Sequence, residues 1–143
     1  LHMIGKLQTN KVKFAVKLFD YIHSVDSKKL AKKISNEQKK INKKLKIFLQ
    51  VNIGDEEQKS GVNKKDLSDL VSFCNEIELN VIGLMCIPPA SIDSEVYFKE
   101  MESLNKTFNF TELSMGMSSD FLTAAKHSST FIRVGSSIFG QRI

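Results

Sequence analysis

Strand-like and helix-like stretches alternate along this chain from end to end, and that alternation limits its architecture more than any other feature. His2-Met3-Ile4-Gly5 is a short apolar start, after which Val12, Ala15, Val16 and Phe19 recur at helical spacing. Residues 21–25 read as a strand, and Asp26 as the N-cap of a helix running to about Lys43. Leu45 to Asn52 is the clearest strand. A polar loop with Gly54 and Gly61 leads to a helix that Asn63 can cap, striped by Leu67, Leu70, Val71, Cys74 and Ile77. Val81 to Ile87 is a strand stopped by Pro88-Pro89. Val96, Phe98, Met101, Leu104 and Phe108 mark the next helix. A short strand ending at Leu113-Ser114, a helix around 119–127 and a strand over 131–134 complete the series. No hairpin signal joins neighbouring strands, so the pattern builds a parallel sheet covered by helices.

Two closures are common for such a chain, the open doubly wound sheet and the eight-stranded barrel. The strand faces choose between them. Over 45–52, Leu45, Ile47, Leu49 and Val51 share one apolar face, while Lys46, Phe48, Gln50 and Asn52 share the other. In the last strand Ile132 and Val134 oppose Phe131, Arg133 and Gly135. An open sheet has helices on both faces, whereas a barrel has them outside only. The expected fold is therefore α/β, a (β/α)8 TIM-barrel type, reduced to about the last six βα units. Residues 1–143 are expected to form one partial barrel domain. Bare parallel edges on such a unit predict self-association.

Composition sets limits. The chain has 143 residues, 41% hydrophobic and 26% charged, as in globular domains. No apolar stretch reaches membrane-span length, so no membrane role is expected. The net charge of +5 owes much to lysines between Lys28 and Lys46. Leu30, Ile34 and Ile41 make a buried stripe through that segment, and no aromatic residues interleave to stack on bases. A solvated helix face is expected there, not a nucleic-acid site. Cys74 and Cys86 have no metal-ligand spacing and read as buried free thiols, which fits a cytoplasmic setting.

In a βα barrel, function gathers at the C-terminal ends of the strands, and the last two loops often hold phosphate. Those loops here are Ser114-Met115-Gly116-Met117-Ser118 and Gly135-Ser136-Ser137. Serine and glycine are also ordinary turn residues. Two such turns side by side could nevertheless cradle one phosphate through hydroxyls and backbone N–H groups. Arg133 lies just before the second loop, on the inward face. It either pairs with a glutamate or donates to a ligand atom near the phosphate. A pyridine nitrogen is such an atom, and arginine is one of the two usual partners of the ring nitrogen of pyridoxal phosphate. Met85, Met115 and Met117 either pack against that ring or fill the core.

The runs HMIGKLQTNKVK (2–13), IHSVDSKKLA (22–31), IFLQVNIGDEEQKSGV (47–62), VIGLMCIPP (81–89), LSMGMSSDF (113–121) and STFIRVGSSIFGQR (129–142) carry a resemblance. The chain resembles the pyridoxal-phosphate homeostasis family, single-domain relatives of the N-terminal barrel of alanine racemase. The resemblance implies binding of pyridoxal 5′-phosphate at the barrel mouth, to buffer or deliver it without turnover. It implies phosphate held by Ser114, Gly116, Gly135 and Ser136, Arg133 facing the ring nitrogen, and Met85 near the ring. The family's Schiff-base lysine belongs to an early strand with no counterpart here, so covalent attachment is not expected. Lys59 is a site to watch. Ser128 stands where the family usually has glycine.

Two other functions stay in view. A racemase-type enzyme needs a second acid-base residue within hydrogen-bond reach, and only Tyr21 and Tyr97 are at hand. A chain that binds only phosphate or sulfate is the third reading.

Overall fold

The computed structural model describes residues 1–57, 59–90 and 93–140. Six strands form one sheet in sequence order: β1 (His2–Met3), β2 (Tyr21–Val25), β3 (Lys46–Gln50), β4 (Val81–Met85), β5 (Glu112–Met117) and β6 (Phe131–Arg133). Every pairing is parallel. Between them run α1 (Val12–Leu18), α2 (Lys28–Lys40), α3 (Lys64–Glu76), α4 (Ser94–Thr107) and α5 (Phe121–Lys126), and α6 (Ser136–Phe139) follows β6. The order never reverses, so there is no switch point of the doubly wound kind. β1 and β6 are the two ends of the sheet, yet the rings of His2 and Phe131 lie 5.7 Å apart. The sheet therefore curls into part of a barrel with a concave interior.

Alternation divides the strands as the sequence implies. Ile22, Ile47, Leu49, Leu84 and Leu113 belong to one buried cluster with Leu30, Ile34, Leu70, Phe98 and Met101 from the helices. The interior instead holds rings: His2 stacks on Tyr21 at 4.0 Å, His23 on Phe48 at 4.4 Å, and Phe131 meets Phe48 edge-on. Asn105 of α4 ties this helix to the sheet. Its carbonyl oxygen accepts from Leu84 N–H at 3.0 Å, and its amide donates to the carbonyls of Phe110 and Glu112.

Several local expectations are corrected. Ser27, not Asp26, caps α2, its hydroxyl accepting from Leu30 N–H. Asp26 instead accepts from Gly61 N–H at 3.0 Å, tying the end of β2 to the loop before α3. α2 stops at Lys40, and Ile41 lies outside its buried stripe. Asn63 flanks α3 without a side-chain capping bond. The largest difference is in β5, which continues past Ser114 to Met117. Ser114 pairs with Phe131 and Met117 with Arg133, so β5 carries one more residue than β6 across the same step. Gly116 absorbs this bulge at φ 97. A Cβ there would stand 2.7 Å from that of Ala124, so the glycine also lets α5 approach. The run is polar for a strand because its serine faces a polar interior. Ser128, read as a departure from glycine, sits at φ 66, the left-handed region that glycine favours.

Candidate functional site

A chain of polar side chains crosses the concave interior. His2 Nδ1 lies 3.0 Å from His23 Nε2, and His23 Nδ1 lies 2.8 Å from Ser114 Oγ. Arg133 Nη1 donates to the same Ser114 oxygen at 2.8 Å, and Nη2 donates to the Cys86 carbonyl at 2.7 Å. The links come from β1, β2, β5 and β6, so the chain spans the interior from one side of the sheet to the other. His23 and Ser114 are buried. Burial, then the fields of His2 and Arg133, pull the His23 imidazole down to about 4, which keeps it neutral near pH 7. Burial lowers Arg133 as well, though a guanidinium stays charged. Burial also pushes the Cys86 thiol up to about 12.

Above this chain, at the C-terminal ends of β5 and β6, opens a cavity of about 580 Å3. Its wall consists of Met117, Ser118, Ser119, Arg133, Gly135, Ser136, Phe139 and Gly140. The two loops meet here. Ser118 Oγ accepts from Gly135 N–H at 3.2 Å and from Ser137 N–H at 3.5 Å. Backbone donors thus converge on one oxygen, which marks a place where the fold receives an acceptor. Nothing within 4 Å crowds the Gly135 α-carbon on its side-chain side. Among the described residues, the partners of Arg133 are a hydroxyl and a carbonyl, not a carboxylate. Asp120, whose field reaches Arg133, accepts from Met117 N–H instead.

The residues singled out from sequence separate into groups. Arg133, Gly135, Ser136 and Met117 line the cavity, together with Ser118. Ser114 does not: it is wholly buried and held by Arg133 and His23, beneath the cavity wall. Alternation turns Met115 outward into the helix-packed core, the second of the two readings its sequence allowed. Gly116 serves the bulge and the approach of α5, away from the cavity wall. Met85 is buried in register with Ser114 and Gln50. Tyr21 accepts a hydrogen bond from Lys46 at the N-terminal end of the strands, and Tyr97 packs against the core from α4. Lys59 pairs with Glu56 and lines neighbouring cavities.

Sequence reasoning missed His2, His23 and the Cys86 carbonyl. A signal for His23 existed: in YIHSV, period two puts it on the face of Tyr21, opposite the core residue Ile22. The wall chemistry consists of hydroxyls, backbone N–H groups and one guanidinium. Groups of these kinds can orient an anion and a hydrogen-bond acceptor. None of them takes up or releases a proton near neutral pH.

The family described as alanine racemase, N-terminal domain, matches residues 1–143. The pyridoxal phosphate homeostasis protein of Aquifex aeolicus is 38% identical over 99% of this chain and 66% of its own length. The protein of the same name from Synechocystis is 37% identical over 99% of this chain and 70% of its own. This chain thus spans about two thirds of the length of the curated relatives it matches. Among solved structures, PipY of Synechococcus elongatus with PLP bound superposes with a TM-score of 0.91 at 33% identity, covering 97% of this chain and 69% of PipY. An alanine racemase of Clostridium difficile, 16% identical with a TM-score of 0.71, shares the fold. With a partial βα barrel, two serine-glycine loops at its mouth and these relatives, the chain belongs to the alanine racemase N-terminal-domain family, among the pyridoxal phosphate homeostasis proteins.

Proposed function

We propose that this chain binds pyridoxal 5′-phosphate in the cavity between the ends of β5 and β6, as a carrier or buffer of the cofactor. The observation that carries this reading is Arg133. An inward guanidinium without a carboxylate partner among the described residues forms part of the wall of a cavity rimmed by serine and glycine. The name of the relatives and the PLP-bound PipY support the same ligand. The residues fit the group. Ser118, Gly135 and Ser136 would hold the phosphate, since a phosphate oxygen can take the backbone donors that now meet at Ser118 Oγ. Arg133 would donate to the ring nitrogen, and Met117 and Met85 would border the ring. When bound, the cofactor supplies an electron-poor ring and an aldehyde.

Arginine stays protonated, so it supports a ring nitrogen without giving it a proton. That suits holding more than turnover. Among the described residues no lysine lines the wall, so binding is non-covalent in this reading. Equilibrium titration with pyridoxal 5′-phosphate, pyridoxal and inorganic phosphate tests it. Pyridoxal 5′-phosphate should bind, pyridoxal should bind at least about tenfold more weakly, and phosphate should compete. No absorbance band of a lysine-bound form should appear. Equal affinity for the two pyridine compounds would contradict the phosphate cradle. Binding of phosphate alone would reduce the site to an anion site.

A further inference from the structure

We propose that His23 is a positioning residue for Arg133: its ring, acting through the Ser114 hydroxyl, fixes the guanidinium in the cavity wall so that it selects a ligand with a ring hydrogen-bond acceptor. This rests on the reading that the cavity takes a pyridine phosphate.

Ser114 Oγ is buried, accepts from Arg133 Nη1, and carries one proton of its own. If His23 Nδ1 also donated to this oxygen, the hydroxyl proton would have no acceptor among the described contacts. The arrangement that uses every buried donor runs one way. Arg133 donates to Ser114, Ser114 donates to His23 Nδ1, and His23 Nε2–H donates to His2 Nδ1. Neutral His23 is therefore an acceptor at its inner end, and it keeps the serine lone pair turned toward the guanidinium. The ring is itself held by stacking on Phe48 and by Phe131 edge-on. His2 is fixed in turn by its stack on Tyr21. A proton on His23 would reverse the bond at Nδ1 and set a second cation facing Arg133 across one oxygen. The charged and titratable groups around His23 are His2 on β1, Arg133 on β6 and Tyr21 on β2. Neither Arg133 nor His2 stabilises an imidazolium there, in keeping with its lowered affinity for a proton.

Three variants and two readouts test this on the 143-residue chain. His23→Phe keeps a ring for stacking and removes the acceptor. Ser114→Ala removes the link. His23→Asn keeps an acceptor near the Nδ1 position. The ligands are pyridoxal 5′-phosphate and its carbocyclic analogue with C–H in place of the ring nitrogen. Wild type should prefer the pyridine. His23→Phe and Ser114→Ala should each lose about tenfold of that preference while competition by inorganic phosphate is unchanged, and His23→Asn should recover part of it. Without ligand, nitrogen-15 spectra should show His23 as the Nε2–H tautomer. The Arg133 Nε–H signal should be sharp in wild type and broadened in His23→Phe. An undiminished preference in both deletion variants, equal loss for both ligands, or an Nδ1–H tautomer would overturn the role of His23. Failure of wild type to bind either ligand, with the Nε2–H tautomer present, would instead overturn the assigned ligand and this selection with it.

Discussion

His23 is a base placed where a proton is costly, and this has a consequence for stability. Its value of about 4 lies below the ordinary 6.5, so the unfolded chain takes up the proton first as pH falls. Its contribution is complete above about pH 6.5 and is lost progressively toward pH 4, worth at most about 3 kcal/mol. His2, also lowered by burial, acts with the same sign. Asp20, Glu37, Glu95 and Glu102 are held below their ordinary values by hydrogen bonds and ion pairs and add losses at still lower pH. Comparison with His23→Phe isolates the histidine. Urea unfolding at pH 5 and pH 7.5 should show a smaller pH difference for the variant than for wild type. Parallel profiles would mean that His23 is not neutral and buried in solution.

Elements are joined by side chains that periodicity does not reveal, and Asn105 is the clearest. A 3.6-residue pattern picks out Phe98 and Met101 in α4 but passes over a polar residue on the same buried face. Asn105 satisfies one N–H within β4 and two carbonyls, one at the start of β5 and one just before it. Asn105→Ala would leave these groups without partners and should cost about 2–4 kcal/mol, read as a lower denaturation midpoint. A change within 0.5 kcal/mol would show that water replaces the amide, taking the usual scatter of neutral substitutions as the threshold. The β-α alternation was legible because the apolar periods of β3, β4 and the longer helices are clean, whereas β1 has only two residues and read as a short apolar start. The continuation of β5 was not, since Ser114, Gly116 and Ser118 read as turn chemistry until the interior polar chain supplies a partner for Ser114. Arg133 was legible as inward from its alternation with Ile132. Its partners were not, because a hydroxyl at Ser114 and a carbonyl at Cys86, 19 and 47 positions away, leave no local mark.

At the scale of the molecule, β1 and β6 each have one hydrogen-bonded neighbour, and apolar side chains stand exposed beside them. Ile132 lies in β6, with Ile138 and Phe139 just after it, and Leu1 and Ile4 flank β1. We expect these edges to drive self-association, visible as a concentration-dependent rise in mass by sedimentation equilibrium. A constant monomer mass would count against it. At the C-terminal ends of β5 and β6 the molecule instead presents a cavity whose walls come from two consecutive βα loops. Crystals of this chain grown with pyridoxal 5′-phosphate test its role as the cofactor site most directly. The account predicts phosphate density within hydrogen-bond distance of Ser118 Oγ and the Gly135–Ser136 backbone, with the ring nitrogen facing Arg133. Density for the cofactor elsewhere, with this cavity empty or the ring nitrogen turned away from Arg133, would contradict it.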